Sequence, residues 1–217
     1  MVRLFVARLA PFAVTLLSFG LNPPSALSQI VYPFETIQEY QATLVPIERN
    51  ISKATNIGIN VDAPYGLTDF VSTNYNELNP NTGVINVSPD PATFGLKNLP
   101  FGLVTFFGST SDKLFGSISA TGLLDFQNLV GNVLGTITIT GGEGKFSGAT
   151  GSLTFVENNT FTPDRDPTAP INGRAFVKGS IVAPTKVSES ETTTALVGFG
   201  LIGAITLLRR HKDSILP

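Results

Sequence analysis

The stretch Ile171-Asn-Gly-Arg-Ala-Phe-Val-Lys-Gly-Ser-Ile-Val-Ala183 decides the class of fold. Its odd positions Ile171, Ala175, Val177 and Ile181 are apolar or small, while Asn172, Arg174, Lys178 and Ser180 between them are polar. Alternation with period two puts one set on each face of an extended strand. The same pattern recurs upstream. Leu114, Gly116, Ile118, Ala120, Gly122 and Leu124 alternate with Ser117, Ser119 and Thr121. Val133, Gly135, Ile137 and Ile139 alternate with Thr136, Thr138 and Thr140. Consecutive runs joined by turn-rich linkers imply antiparallel pairing.

Glycine falls repeatedly on the otherwise apolar face, at Gly116, Gly122, Gly135, Gly173 and Gly179. Inside a strand it marks a bend, a bulge or a close approach. A small closed sheet needs such places in order to curve. The expected fold is therefore mainly β, a small antiparallel β-barrel of about eight strands, with a two-sheet sandwich as the alternative. The Asn- and Pro-rich stretch from Asn74 to Pro91 reads as a long exposed connection or an irregular hairpin.

Within 140–155 the chain reads Thr-Gly-Gly-Glu-Gly-Lys-Phe-Ser-Gly-Ala-Thr-Gly-Ser-Leu-Thr-Phe. Gly141, Gly142 and Gly144 offer positive φ for a tight connection, and Phe146 can cap the core where the chain turns. As a nucleotide loop it fails, because no Lys-Ser/Thr follows and the next residues are strand-like. Gly141, Gly142, Gly144, Phe146, Gly148, Ala149 and Gly151 instead resemble the Gly-Gly-x-Gly-x-Phe-x-Gly-Ala-x-Gly hairpin of the dirigent and allene oxide cyclase barrels. The resemblance covers about fifteen residues and concerns fold, since these glycines build a hairpin and perform no chemistry. None of that family's pocket residues aligns here.

The two ends of the 217-residue chain carry a different message. Arg3 and Arg8 precede an apolar run from Leu9 to Leu21, Pro23 and Pro24 break it, and Ala26 and Ser28 supply small residues at −3 and −1. Residues 1–28 read as a signal peptide, with cleavage expected after Ser28. Near the other end no charge interrupts Thr192 to Leu208, after which Arg209, Arg210 and Lys212 follow at once. As a helix that run rises about 25 Å, the short end of what crosses a bilayer. Its basic flank belongs on the cytoplasmic side, so residues 29–186 form the exported domain.

The acidic-polar Val187-Ser188-Glu189-Ser190, the Gly-rich apolar run and the terminal Arg pair resemble the PEP-CTERM sorting signal of Gram-negative bacteria. That family has Val-Pro-Glu-Pro before its helix; here Glu189 is kept and serines replace both prolines. The resemblance implies an exosortase-type processing enzyme as partner, acting on residues 187–217. With it come a membrane held through Thr192–Leu208 and a location outside the cytoplasm, at or beyond the cell surface.

Composition removes many chemistries. From Gln29 to Lys186 nine Lys and Arg stand against thirteen Asp and Glu, which leaves no basic footprint for nucleic acid. The chain has no cysteine, and its one histidine, His211, lies beyond the apolar run. Thiolate and imidazole mechanisms and ordinary zinc sites are thereby excluded from residues 29–186. Asp164 and Asp166 flank Arg165 in a Pro-rich connection with no third acid to complete a Ca²⁺ loop. A carboxylate pair drawn from Glu35, Glu39, Asp125, Glu143 or Glu157 remains open for acid–base work, and spacing selects none of them.

No catalytic residue, cofactor or metal ligand is therefore assigned. The first expectation is a non-enzymatic exported domain of the cell envelope or extracellular matrix, with an envelope polysaccharide among its partners. The alternative is a barrel that binds or isomerises an apolar small molecule. A solid interior favours the first, and a Phe-lined cavity with converging polar groups favours the second.

Overall fold

Alternation carries more of the chain than those three runs. A computed structural model describes residues 27–161 and 170–186. The strands are β1 (Leu27–Glu48), β2 (Ile51–Ile59), β3 (Asp69–Leu78), β4 (Val84–Ser88), β5 (Val104–Phe107), β6 (Lys113–Asp125), β7 (Val130–Glu143), β8 (Thr150–Thr160) and β9 (Ile171–Lys186). Ser28 lies in β1, whereas Ala26, Asp164, Asp166, Glu189, Thr192–Leu208, Arg209 and Arg210 lie outside the described residues. Among the described residues no helix is long and apolar enough to cross a membrane.

All nine strands belong to one antiparallel sheet, in the order β2-β1-β9-β8-β7-β6-β4-β3-β5. The further pairing of β2 with β3 closes eight of them into a ring. β4 and β5 share one place in it: Val104–Phe106 of β5 pairs with Leu114–Gly116 of β6, and Val84–Val87 of β4 pairs with Ala120–Leu123. The connection between these short strands folds back over the outer face of β3. There Tyr75 donates a hydrogen bond to the carbonyl of Pro100 at 2.7 Å and is buried with Ile51 and Leu96.

The stretch from Asn74 is thus an irregular hairpin, with Leu78 opposite Ile85, and its first residues are buried strand rather than exposed loop. Tyr75 faces out under its cover while Asn74 faces in, as strand parity demands.

The inner face has two halves. One is filled by Phe34, Phe106, Leu114, Ile139, Leu153 and Ile181, all buried. Phe34 and Phe106 meet edge-on with ring centroids 5.7 Å apart. Phe146 seals this end, fully buried and edge-on to Tyr32 at 5.2 Å. The other half is wetter and looser, and the candidate site lies there.

Glycines on the inner face have a more particular reason than curvature. A Cβ on Gly58 would overlap the ring of Phe70, one on Gly135 would fall 2.6 Å from Phe155, and one on Gly173 would fall 2.5 Å from the hydroxyl of Tyr40. Each glycine leaves room for an aromatic side chain to lie across its strand.

In the 140–155 hairpin the expected positive φ is found at Gly144 (63°) alone of the three named glycines, while Gly148 (70°) and Gly151 (153°) have it unforeseen. Gly141 and Gly142 do not share it. They are strand residues beside an irregularity at which Phe115 pairs with Gly141 and Gly116 with Ile139. At Gly142 the need is space, because the backbones of Lys113 and Phe146 crowd the position of a Cβ. The extra residue at this bulge changes the local course of β7.

Candidate functional site

Strand parity on β8 carries the inward face from Leu153 and Phe155 to Glu157 and Asn159. On β1 it carries Phe34, Thr36, Gln38 and Tyr40 inward, and on β3 it carries Phe70, Ser72, Asn74 and Asn76. Tyr40, Ser72, Asn74, Asn76, Glu157 and Asn159 of these meet around a cavity of about 90 Å3, whose apolar wall includes Phe70, Ile118, Val133, Phe155 and Phe161. That space equals about three water molecules' share of liquid. It suits a small ligand or the head of a larger one, well below the roughly 300 Å3 of a drug-sized pocket.

Tyr40 crosses over Gly173 and brings its hydroxyl 2.8 Å from Oε2 of Glu157 and 2.7 Å from Oδ1 of Asn159. The hydroxyl has one proton and cannot donate to both acceptors. With Glu157 neutral, the carboxyl donates to Tyr40 and Tyr40 donates to Asn159, and every contact is satisfied. With Glu157 ionised, Tyr40 donates to the carboxylate and the Asn159 amide must turn to present Nδ2.

Burial favours the neutral form. It pushes the Glu157 carboxyl from its ordinary 4.5 up to about 7, against the opposing hydrogen bonds from Tyr40 and Asn159. Burial, then the neighbouring carboxylate charge, raises the Tyr40 hydroxyl far above its ordinary value. Tyr40 is a neutral donor at every physiological pH.

The opposite wall supplies acceptors. Asn56 Nδ2 donates to Ser72 Oγ at 2.9 Å. Asn74 is 5% exposed, and neither its Oδ1 nor that of Asn76 has a hydrogen-bond partner among the described residues. Buried amide oxygens in that condition are uncommon and costly. Gln38, nearer the packed half, has neither amide atom paired.

The five carboxylates left equivalent by the sequence now separate. Glu35 and Glu39 point outward from β1 into an open groove that also contains Asp62 and Arg174. Glu143 pairs with Lys113 at 2.8 Å on the exposed surface. Asp125 accepts from the backbone N–H groups of Gln127 and Asn128, each at 2.9 Å, and closes the β6–β7 turn. Glu157 alone of the five lines the cavity, so among the described residues no second carboxylate joins it there as a glycosidase pair would.

Among the described residues no group of three or more acidic or imidazole side chains could hold a metal ion. Gly144 and Phe146 serve the fold at the far end of the ring. Asp112 accepts from the Lys145 backbone N–H at 2.9 Å and pairs with its ammonium at 2.9 Å, which clamps that loop. The hairpin glycines and the cavity are separate features, and sequence reading had missed Tyr40, Asn74, Asn76 and Asn159. Parity counted onward from Leu153 and Phe155 was the signal for Glu157 and Asn159. No family model, no curated protein and no solved structure matches this chain.

Proposed function

We propose that the chain is an exported, envelope-anchored β-barrel that binds a small, largely apolar molecule in the cavity beside Tyr40 and Glu157. The observation that supports it is a hollow half of the interior where aromatic walls surround a few converging polar groups, two of them without partners. The closed ring of pairings supports the barrel. The signal-like segment before Gln29 and the apolar run Thr192–Leu208 with its Arg cluster support export and anchoring, and the tail motif supports an exosortase-type processor.

A purely structural role in the envelope or matrix, without a ligand, calls for an interior packed throughout. Only the Phe34 end is packed in that way. A catalytic form of the binding reading has one observation in its favour: a carboxyl near pH 7 in an apolar cavity is poised to take and return a proton.

The test uses the mature protein purified under non-denaturing conditions from its own cells. Mass spectrometry of the extract is expected to show a small molecule that is absent from an Ala120→Phe variant, in which the new ring fills the cavity. The reading fails if nothing co-purifies and no C3–C6 alcohol, amine or acid raises the melting temperature. Protease shaving of whole cells tests the location, and a domain protected in intact spheroplasts would overturn it.

A further inference from the structure

We propose that the cavity takes a small organic ammonium compound, its N–H groups on the Glu157 carboxylate and the amide oxygens of Asn74 and Asn76. The inference rests on the cavity being a binding site and adds the charge and polarity of what enters it.

Three independent features point the same way. The first is charge. Among the described residues, Glu157 and Tyr40 are the titratable groups lining the cavity, and no Lys, Arg or His lines it. The elements packed around Glu157 bring Tyr40 from β1, Val133 from β7 and Ala175 and Ile171 from β9, so among the described residues no cation answers the carboxylate. A buried carboxyl without a cation stays neutral or finds one. A ligand that carries the cation supplies what the walls omit.

The second feature is the sign of the unmet hydrogen bonds. The buried Oδ1 atoms of Asn74 and Asn76 are acceptors without donors among the described residues. They stand two residues apart on the inner face of β3, about 7 Å along the strand. With Glu157 ionised, Tyr40 donates to the carboxylate and Asn159 turns its Nδ2 toward the hydroxyl, which leaves the β3 oxygens as the unmet acceptors. These two oxygens ask for N–H or O–H groups.

The third is the wall. Tyr40, Phe70, Phe155 and Phe161 all line the cavity, and Tyr40 and Phe70 stand edge-on with centroids 6.4 Å apart. Aromatic rings around a carboxylate accommodate an ammonium and a short alkyl arm together, the ring faces attracting the cation and the rest burying methylene groups. An open space of about 90 Å3 limits the enclosed part to a few heavy atoms. Neither a long lipid nor a large ring system fits whole.

Proton linkage follows from the same geometry. An ammonium ion binds the ionised form of Glu157, so its entry expels the carboxyl proton and is opposed by acid. With Glu157 titrating at about 7, the competent fraction rises roughly thirtyfold between about pH 5.5 and about pH 8, and apparent affinity rises with it.

The experiment is an NMR titration of the full-length protein, following the Asn74 and Asn76 side-chain amides. The probes are n-butylammonium chloride, which stays charged across that range as lysine does, and 1-butanol, its neutral counterpart. Expected are tighter binding of the amine than the alcohol at about pH 8, a roughly thirtyfold loss at about pH 5.5 for the amine only, and loss of both effects in Glu157→Gln. Equal, pH-independent binding of amine and alcohol would overturn the ammonium inference and leave the binding site standing. Shifts from neither probe at either pH would overturn the binding reading as well.

Discussion

The phenol of Tyr40 lies over the backbone of Gly173, so close that a methyl group there would come within 2.5 Å of its hydroxyl oxygen. Tyr40 is on the first strand of the ring, Gly173 on the last, and β1 and β9 are neighbours in the sheet. The missing side chain of one strand makes room for the polar contact of the next. Gly173→Ala is expected to push Tyr40 away from Glu157 and Asn159 and to cost about 1–3 kcal/mol, as overpacking does. Chemical denaturation checks the stability. A crystal structure in which Tyr40 has not moved would remove the explanation.

Glu157 should make the domain pH-sensitive in a defined direction. Its folded-state value, about 7, stands above its ordinary 4.5, so between those values the folded protein holds a proton that the unfolded chain has lost. Stability is then greatest below about pH 4.5 as far as this group is concerned, and it falls as pH rises through about 7, by up to roughly 3 kcal/mol. Melting curves across that range are expected to slope downward for the wild type and to flatten for Glu157→Gln. An upward slope would mean that the carboxyl is better satisfied as an anion than as an acid.

Gly144 has φ of 63°, and a Cβ on it would run into the Asp112 carboxylate that clamps Lys145. Gly144→Val therefore combines backbone strain with a steric clash and should lower stability by about 1–3 kcal/mol. Gly141→Ala makes a useful control, since the nearest atom to a Cβ there is a Phe115 ring carbon 3.9 Å away. Equal melting shifts for the two variants would show that the loop has no conformational demand.

Gln38 is fully buried, and neither atom of its amide has a partner among the described residues. Gln38→Met keeps length and shape while removing two unpaired polar atoms, and it should raise stability by about 1–2 kcal/mol. A loss of stability would reveal a hydrogen-bonding role for the amide, through water or otherwise.

The tail is expected to be processed. Mass spectrometry of the mature protein should find a C-terminus near Glu189, without Arg209 and Arg210, and an N-terminus at or close to Gln29. A protein that keeps Arg209 through Pro217 is held by a permanent anchor.

The strands were legible in the sequence where one face is apolar without interruption. β6, β7 and β9 show their period plainly, and the 140–155 hairpin shows its turn. The site was hidden for the same physical reason that it is a site. On β3 the inward positions after Phe70 are Ser72, Asn74 and Asn76, and on β8 the inward face changes from Phe155 to Glu157. Polar residues on an inner face erase the alternation that marks a strand, so Asn74 looked like the start of a loop. The closure of β1 against β9 was also out of reach, because alternation says which face is buried and nothing of which strand lies alongside.

That closing contact sets an order of events. The ring joins the first strand to the last, and Tyr40 reaches Glu157 only when β8 and β9 stand beside it. A chain delivered from its N-terminus can pair β1 with β2 and β2 with β3 early, since those partners are local. Its open edges remain until residues beyond Pro170 arrive, and long-range pairing of this kind is slow. A polypeptide that cannot complete its core before its final strand appears commits to its shape only when the whole ring is present.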